Sequence, residues 1–81
     1  MNATVKRDFT QRDVRQGAES LFILQRVQKL DRPAPIVREA YVDWLDVRKQ
    51  YHHEHAFEEE CDLYIRNHAV DLRNRISIPS A

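Results

Sequence analysis

The chain has 81 residues, 42% of them apolar and 32% charged, and its 13 basic side chains balance 13 acidic ones, which is too apolar and too evenly charged for a disordered segment. Its single cysteine excludes an internal disulfide framework and the zinc modules that are built on paired cysteines. The longest apolar run, residues 21–24, is far shorter than the ~18 residues of a membrane span. The first residues also lack the apolar stretch of a signal peptide. We therefore expect a soluble, cytoplasmic protein.

The first predicted helix covers residues 11–30 and follows a flexible lead-in over residues 1–9. Thr10 is a good N-cap, and Asp13 stands three residues later, where an acidic side chain completes a capping box. Apolar side chains then recur at helical spacing through the segment. The single glycine, Gly17, costs such a helix roughly 1 kcal/mol relative to alanine, so its presence indicates the close approach of another helix.

A proline-rich turn separates the first helix from a second helical segment. Pro33 and Pro35 cannot continue a helix, and Pro35 suits the first turn of the next one. Residues 36–73 then contain neither glycine nor proline. Apolar side chains recur there about every 3.5 residues, as in a coiled-coil seam, although Glu54, Glu58 and His68 interrupt it. The apolar face is broader than such a seam, which is typical of a helical bundle.

The second segment allows two models. In one, residues 36–73 form a single helix of about 57 Å at 1.5 Å per residue. In the other, a polar stretch near residues 52–56 divides it into two helices. We favour the continuous helix, because no glycine or proline marks a break. The helical domain then spans residues 10–75, and residues 76–81 form a tail.

The predicted fold class is therefore all-α, a helical hairpin made of a short helix, a proline-marked turn and a long helix. A second helix of this length leaves much of its apolar face uncovered, and small chains often need an added source of stability. We expect two copies to pair into a homodimeric helical bundle. The alternative is a three-helix bundle that closes its core within one chain.

Metal-ligand side chains concentrate near the middle of the second segment, where His52, His53 and His55 stand among glutamates and close to Cys61. Their spacing matches neither the zinc-protease nor the di-iron motif, which favours a solvated polar face; metal binding and pH-sensitive His–Glu pairing stay open. Acidic neighbours oppose a nucleophilic role for the cysteine. We expect no enzymatic activity, no cofactor and no metal.

Aromatic and aliphatic side chains of the second segment are the candidates for a binding surface, because such residues dominate the energetics of protein interfaces. We predict a small non-enzymatic interaction module that binds another protein through helical surface. Regulators, adaptors and inhibitors are often of this size, including accessory proteins of phages and other mobile elements. The predicted partner or dimer interface consists of Val37, Tyr41, Trp44, Val47, Tyr51, Phe57 and Ile65.

The uneven distribution of charge supports an alternative prediction. Residues 1–50 contain ten basic and seven acidic side chains, whereas residues 51–81 contain three and six. A small helical transcriptional regulator would use such a basic half to neutralise nucleic-acid phosphates. Its basic side chains, such as Arg12, Arg15 and Arg26, are dispersed rather than gathered on one recognition element, so a protein partner is favoured. No membrane partner is expected.

Overall fold

A computed structural model describes residues 9–51 and 53–77 of the chain. Within these residues it contains four helices: α1 (Gln11–Lys29), α2 (Ala34–Arg48), α3 (Glu54–Asn67) and α4 (Ala69–Arg75). The predicted all-α class is confirmed. Residues 1–8 of the predicted lead-in, residues 78–81 of the predicted tail and His52 lie outside the described residues. None of the helices in the described part of the chain is long and apolar enough to cross a membrane.

Helix α1 begins and ends close to the predicted bounds. Thr10 forms a complete capping box with Asp13: the Thr10 hydroxyl accepts a hydrogen bond from the Asp13 backbone N–H at 3.2 Å, and the Asp13 carboxylate accepts one from the Thr10 N–H at 2.9 Å. These two contacts satisfy backbone donors that the first turn of a helix leaves free. Seven of the 19 residues in α1 are buried, the largest number in any of the four helices of the described chain.

The single helix predicted over residues 36–73 is wrong. Helix α2 ends at Arg48, and α3 begins at Glu54. On a continuous helix, Tyr51 and Phe57 would be about 9 Å apart along the axis and would point in different directions. The break instead allows their rings to stack with centroids 4.2 Å apart. This aromatic contact and the burial of α3 against α1 offset the helical hydrogen bonds that the break removes.

A second break, which the sequence pattern did not predict, separates α3 from α4 at His68. Helix α4 has only seven residues, too few to be stable as an isolated helix. Leu72 is fully buried, and the Arg75 guanidinium donates to the Glu19 carboxylate of α1 at 2.9 Å. Tertiary contacts therefore hold this helix in place.

Helix α1 is the centre of the fold, because α2 and α3 each pack along it and make few contacts with each other. Phe9, the last residue of the predicted lead-in, packs edge-on against Tyr51 and Phe57. The core therefore closes within one chain, as in the three-helix alternative. Its buried members are Val14, Ala18, Leu21, Leu24, Val27, Ala40, Trp44, Tyr51, Phe57 and Cys61.

Candidate protein-binding surface

Three residues of the predicted interface lie inside the core of the chain. Trp44, Tyr51 and Phe57 are all buried, and Phe57 stacks on both of the other rings, with centroids 6.1 Å from Trp44 and 4.2 Å from Tyr51. A partner could reach these rings only by opening the fold. These three residues therefore stabilise the fold, because large aromatic side chains bury much apolar area in a protein core.

The other four predicted interface residues divide into two groups. Val37, Val47 and Ile65 are half-buried and pack against the core. Tyr41 is 49% exposed and presents its ring to solvent. Tyr41 is thus the member of the predicted set that is most accessible to another molecule, and Val42 beside it is almost as exposed.

A concave surface lies between α1 and α2, on the opposite side of α2 from Tyr41. Its volume is about 190 Å³, and its lining residues are Ile23, Val27, Ile36, Glu39, Ala40 and Asp43. Val27 and Ala40 are buried and form its floor, whereas Ile23 and Ile36 are 36% and 44% exposed. We call this surface the α1–α2 groove. It combines an apolar floor with apolar sides that water still reaches.

Local sequence explains why these residues share one surface. Ile36, Glu39, Ala40 and Asp43 recur at intervals of three and four residues, so they lie along one side of α2. The turn between the helices fixes which side faces α1. Asp31 adopts a left-handed conformation with φ 53°, which aspartate tolerates better than most residues, and the chain then reverses direction into α2.

The two carboxylates of the groove have no partner in the described chain. Glu39 and Asp43 are exposed, and neither makes a hydrogen bond or an ion pair with residues 9–51 or 53–77. The third acidic side chain of α2 differs, since the Asp46 carboxylate lies 3.1 Å from the Lys49 ammonium. The groove therefore carries two negative charges, beside exposed apolar surface, that no side chain of residues 9–51 or 53–77 pairs with.

The histidine cluster shows no metal site within the described residues. His53 and His55 line a separate depression with Glu54 and Glu59 at the start of α3. No group of three or more His, Cys, Asp or Glu side chains in residues 9–51 and 53–77 is placed to hold a metal ion. His52, which the predicted cluster includes, lies outside those residues, so the absence of a metal stays a prediction.

Burial is the main reason that Cys61 is unreactive, and the acidic neighbours evident in the sequence come second. The side chain is fully buried, and its thiol donates to the Val14 carbonyl oxygen at 3.7 Å. Desolvation, followed by the charges of Asp62, Glu58 and Glu60, raises the pKa of the thiol from 9.0 to about 12. The reactive thiolate is therefore disfavoured at neutral pH.

The basic side chains of the N-terminal half do not form an unbroken positive surface on α1. Arg15 lies 3.9 Å from the Glu19 carboxylate, which also accepts from Arg75 of α4. Arg12 and Arg26 stand on the same helix, with this paired acid between them in the sequence. Part of the local positive charge is thus compensated within the chain, and the nucleic-acid alternative gains no specific site from the described part of the fold.

No protein-family model, curated protein or solved structure matches this chain. The assignment of a function consequently rests on the geometry of its surface.

Sequence reasoning missed the α1–α2 groove because it treated every apolar residue on the helical stripes alike. Ile23 and Ile36 belong to the apolar pattern but lie at the edges of the buried faces. The signal in the sequence was the pair of carboxylates at Glu39 and Asp43, four residues apart and adjacent to Ala40. Only the packing of α2 on α1 places that pair beside the two isoleucines.

Proposed function

We propose that this chain is a non-enzymatic protein-binding module whose contact surface is the α1–α2 groove. The observation that carries the proposal is the combination of exposed Ile23 and Ile36 with a floor of buried Val27 and Ala40. A concave apolar surface of this kind accepts an anchoring side chain, and buried anchors supply most of the energy of a protein interface. The core is already closed within the chain, and Ile23 and Ile36 stay partly exposed at its edge.

The acidic rim adds selectivity to this surface. Glu39 and Asp43 repel phosphate groups, so the groove is unsuited to nucleic acid. Opposite charge at the edge of an apolar contact steers association and suppresses wrong partners. Tyr41 and Val42, on the other side of α2, offer apolar area for a partner large enough to extend around that helix.

Site-specific photocrosslinking in cells that express the chain tests the proposal. A photoreactive benzoylphenylalanine replaces Ile36 in one variant and Ile23 in another, and the matched control carries it at Arg73, an exposed position of α4. We expect both groove positions to give the same discrete protein adduct and the control position to give none. Circular dichroism of each variant verifies that the helices are retained.

The outcome depends on the identity and the position of the adduct. An adduct that forms equally well from position 73 would contradict the proposal, because it would indicate unspecific surface contact. Crosslinking of the groove positions to nucleic acid instead of protein would favour the transcriptional-regulator alternative. Absence of any adduct from positions 23 and 36 would also overturn the groove as the contact surface.

A further inference from the structure

We infer that the partner of the α1–α2 groove is a cationic amphipathic helix, which inserts one large apolar side chain between Ile23 and Ile36 and places two Lys or Arg side chains against Glu39 and Asp43. This inference rests on the proposed function and gives it a partner chemistry. It follows from three properties of the groove: its volume, its two carboxylates, which pair with no residue of the described ranges, and the spacing of those carboxylates.

The volume suits a single anchoring side chain. The groove is an open depression of about 190 Å³, and a closed apolar cavity of about 150 Å³ already holds a molecule of the size of benzene. A leucine, methionine or phenylalanine side chain of the partner fits such a space over Val27 and Ala40. Its burial would also cover Ile23 and Ile36, which are the most exposed apolar parts of the lining.

The charges specify a basic partner. Glu39 and Asp43 have no ion-pair partner within residues 9–51 and 53–77, so both carboxylates are available to a second molecule. A carboxylate that loses water beside bound apolar surface needs a compensating charge or hydrogen-bond donor. Lys and Arg supply such donors, and hydrogen bonds between opposite charges are stronger than neutral ones. An acidic segment would be repelled at the same place.

The spacing of the carboxylates fits a helical partner. Glu39 and Asp43 are four residues apart on α2, a separation of about 6 Å along the axis. Two basic residues at positions i and i+4 of a partner helix have the same separation and lie on one face. Insertion of an amphipathic helix into a groove between two helices is a recurring mode of peptide recognition, in which apolar anchors sit at i, i+3, i+4 and i+7.

Fluorescence anisotropy with three labelled peptides tests this inference on the full chain. The first probe is an 18-residue helical peptide with Leu on one face and Lys at flanking i, i+4 positions. The second has Glu in place of each Lys, and the third has Ser in place of each Leu. We expect the Leu/Lys peptide to bind at least about tenfold more tightly than either of the others.

Matched variants of the protein locate the binding site. Glu39→Gln combined with Asp43→Asn removes both groove charges, and Ile36→Ser removes one apolar side of the groove. Glu59→Gln combined with Glu60→Gln removes two exposed charges from α3 as the control. We expect the groove double variant to weaken Leu/Lys binding about tenfold and Ile36→Ser to weaken it similarly, whereas the control changes it less than twofold. Raising the salt concentration to 0.5 M should reduce the effect of the double variant, since rim charges are screened.

Several results would overturn the inference. An equal loss of binding in the α3 control would indicate general attraction between a cationic peptide and acidic helices. Equal binding of the Leu/Lys and Ser/Lys peptides would show that no apolar side chain of the peptide anchors it in the groove. If sedimentation of the protein alone shows self-association that Ile36→Ser abolishes, the groove is occupied by a second copy of the chain instead.

The failure of this inference differs from the failure of the proposed function. Mass spectrometry of the photocrosslinked adduct identifies the partner segment that touches position 36. If that segment has no basic residues at helical spacing, the cationic-helix inference is wrong while the protein-binding proposal stands. If positions 23 and 36 give no protein adduct, the proposed function itself fails, whatever the peptides do.

Discussion

At the scale of single residues, Gly17 explains how α3 lies so close to α1. A Cβ atom at this position would stand 2.5 Å from Phe57 Cζ and 2.8 Å from Cys61 Sγ, closer than any stable contact. Phe57 has no room to move away, because it is fully buried and stacks on two other aromatic rings. The glycine that weakens an isolated helix is therefore required by the tertiary contact.

We expect Gly17→Ala to destabilise the protein despite the better helix propensity of alanine. Alanine gains about 1 kcal/mol as a helix former, but overpacking a tight core costs about 1–3 kcal/mol, occasionally more. The contacts at Gly17 lie at the severe end of that range, so a net loss of about 1–2 kcal/mol is expected. Urea denaturation measures it, with Gln16→Ala on the exposed side of α1 as the control. A rise in the unfolding midpoint of Gly17→Ala would contradict the close approach of α3 to α1.

The raised pKa values of Cys61 and Tyr51 predict that the protein loses stability at alkaline pH. The pKa of Cys61 is raised from 9.0 to about 12, and burial, followed by the charge and hydrogen bond of Asp13, raises the pKa of Tyr51 from 10.0 to about 12. Above pH 9 the unfolded chain therefore releases protons that the folded chain retains. These two groups therefore leave the free energy of unfolding unchanged between pH 7 and about pH 8, and above pH 9 they lower it by up to about 1.4 kcal/mol per pH unit for each group that titrates.

Urea titrations between pH 7 and 10.5 measure this dependence, and Cys61→Ala separates the two groups. The variant lacks the thiol, so its stability should begin to fall about one pH unit higher than that of the wild type, where tyrosine begins to titrate. Its lower stability at pH 7, caused by the cavity, does not affect that comparison of slopes. Identical slopes for both proteins between pH 9 and 10 would show that the thiol titrates normally in the folded state.

At the scale of the helices, the two breaks in the second segment have tertiary causes. The break before α3 lets Tyr51 meet Phe57, and it is spanned by the Arg48–Glu58 ion pair at 2.8 Å. The pair is partly exposed and contributes little by itself. Periodicity alone favours one continuous helix over residues 36–73, because the apolar repeat continues through the break. The packing of α3 against α1 favours two separate helices instead.

Helix α4 offers a direct test of this dependence on tertiary contacts. Leu72 is fully buried, whereas Val70 on the same helix is 65% exposed. We expect Leu72→Ala to cost about 2–4 kcal/mol, since it removes buried apolar volume, and to increase hydrogen exchange of the α4 amides. Val70→Ala removes a similar side chain from the surface and should change neither quantity appreciably. Equal effects of Leu72→Ala and Val70→Ala would indicate that α4 does not pack against the core.

At the scale of the whole molecule, the closed core alters the expectation about self-association. The sequence predicts a homodimer because a long second helix would leave its aromatic face uncovered. That face is now covered by α1 and by the folding back of α3, and Trp44 is buried within one chain. The strongest physical reason for a dimer is therefore removed, although Tyr41 and Val42 remain available on α2.

We accordingly expect a monomer in sedimentation velocity experiments at micromolar concentration, with high helicity by circular dichroism. Trp44, Tyr51 and Phe57, which the predicted dimer would bury between two copies, are already buried within one chain, so their burial no longer favours pairing. A concentration-dependent dimer that Tyr41→Ser dissociates would reinstate the homodimer prediction, with its interface on the outer side of α2. Val70→Ser serves as the control, because it makes a similar change at an exposed residue of α4.

Several features of this protein were determined by the sequence alone. The capping box at Thr10 and Asp13, the proline-marked turn and the apolar stripe of α1 depend on neighbours within a few residues, so local rules predicted them. The all-α class follows from the same periodicity. The sequence also identified the aromatic residues that matter, although it assigned Trp44, Tyr51 and Phe57 to an interface and not to the core.

Only the tertiary structure decided where the second segment breaks and which apolar residues stay exposed. Both depend on contacts between residues far apart in the chain, such as Gly17 with Phe57, and on the packing of α1 against α2. Helical periodicity specifies a face but not what covers it, because the same stripe serves equally well for a core, a dimer or a partner. The packing of α1 against α2 and α3 resolves that choice, since it buries the centre of each stripe and leaves edge residues such as Ile23 and Ile36 to solvent.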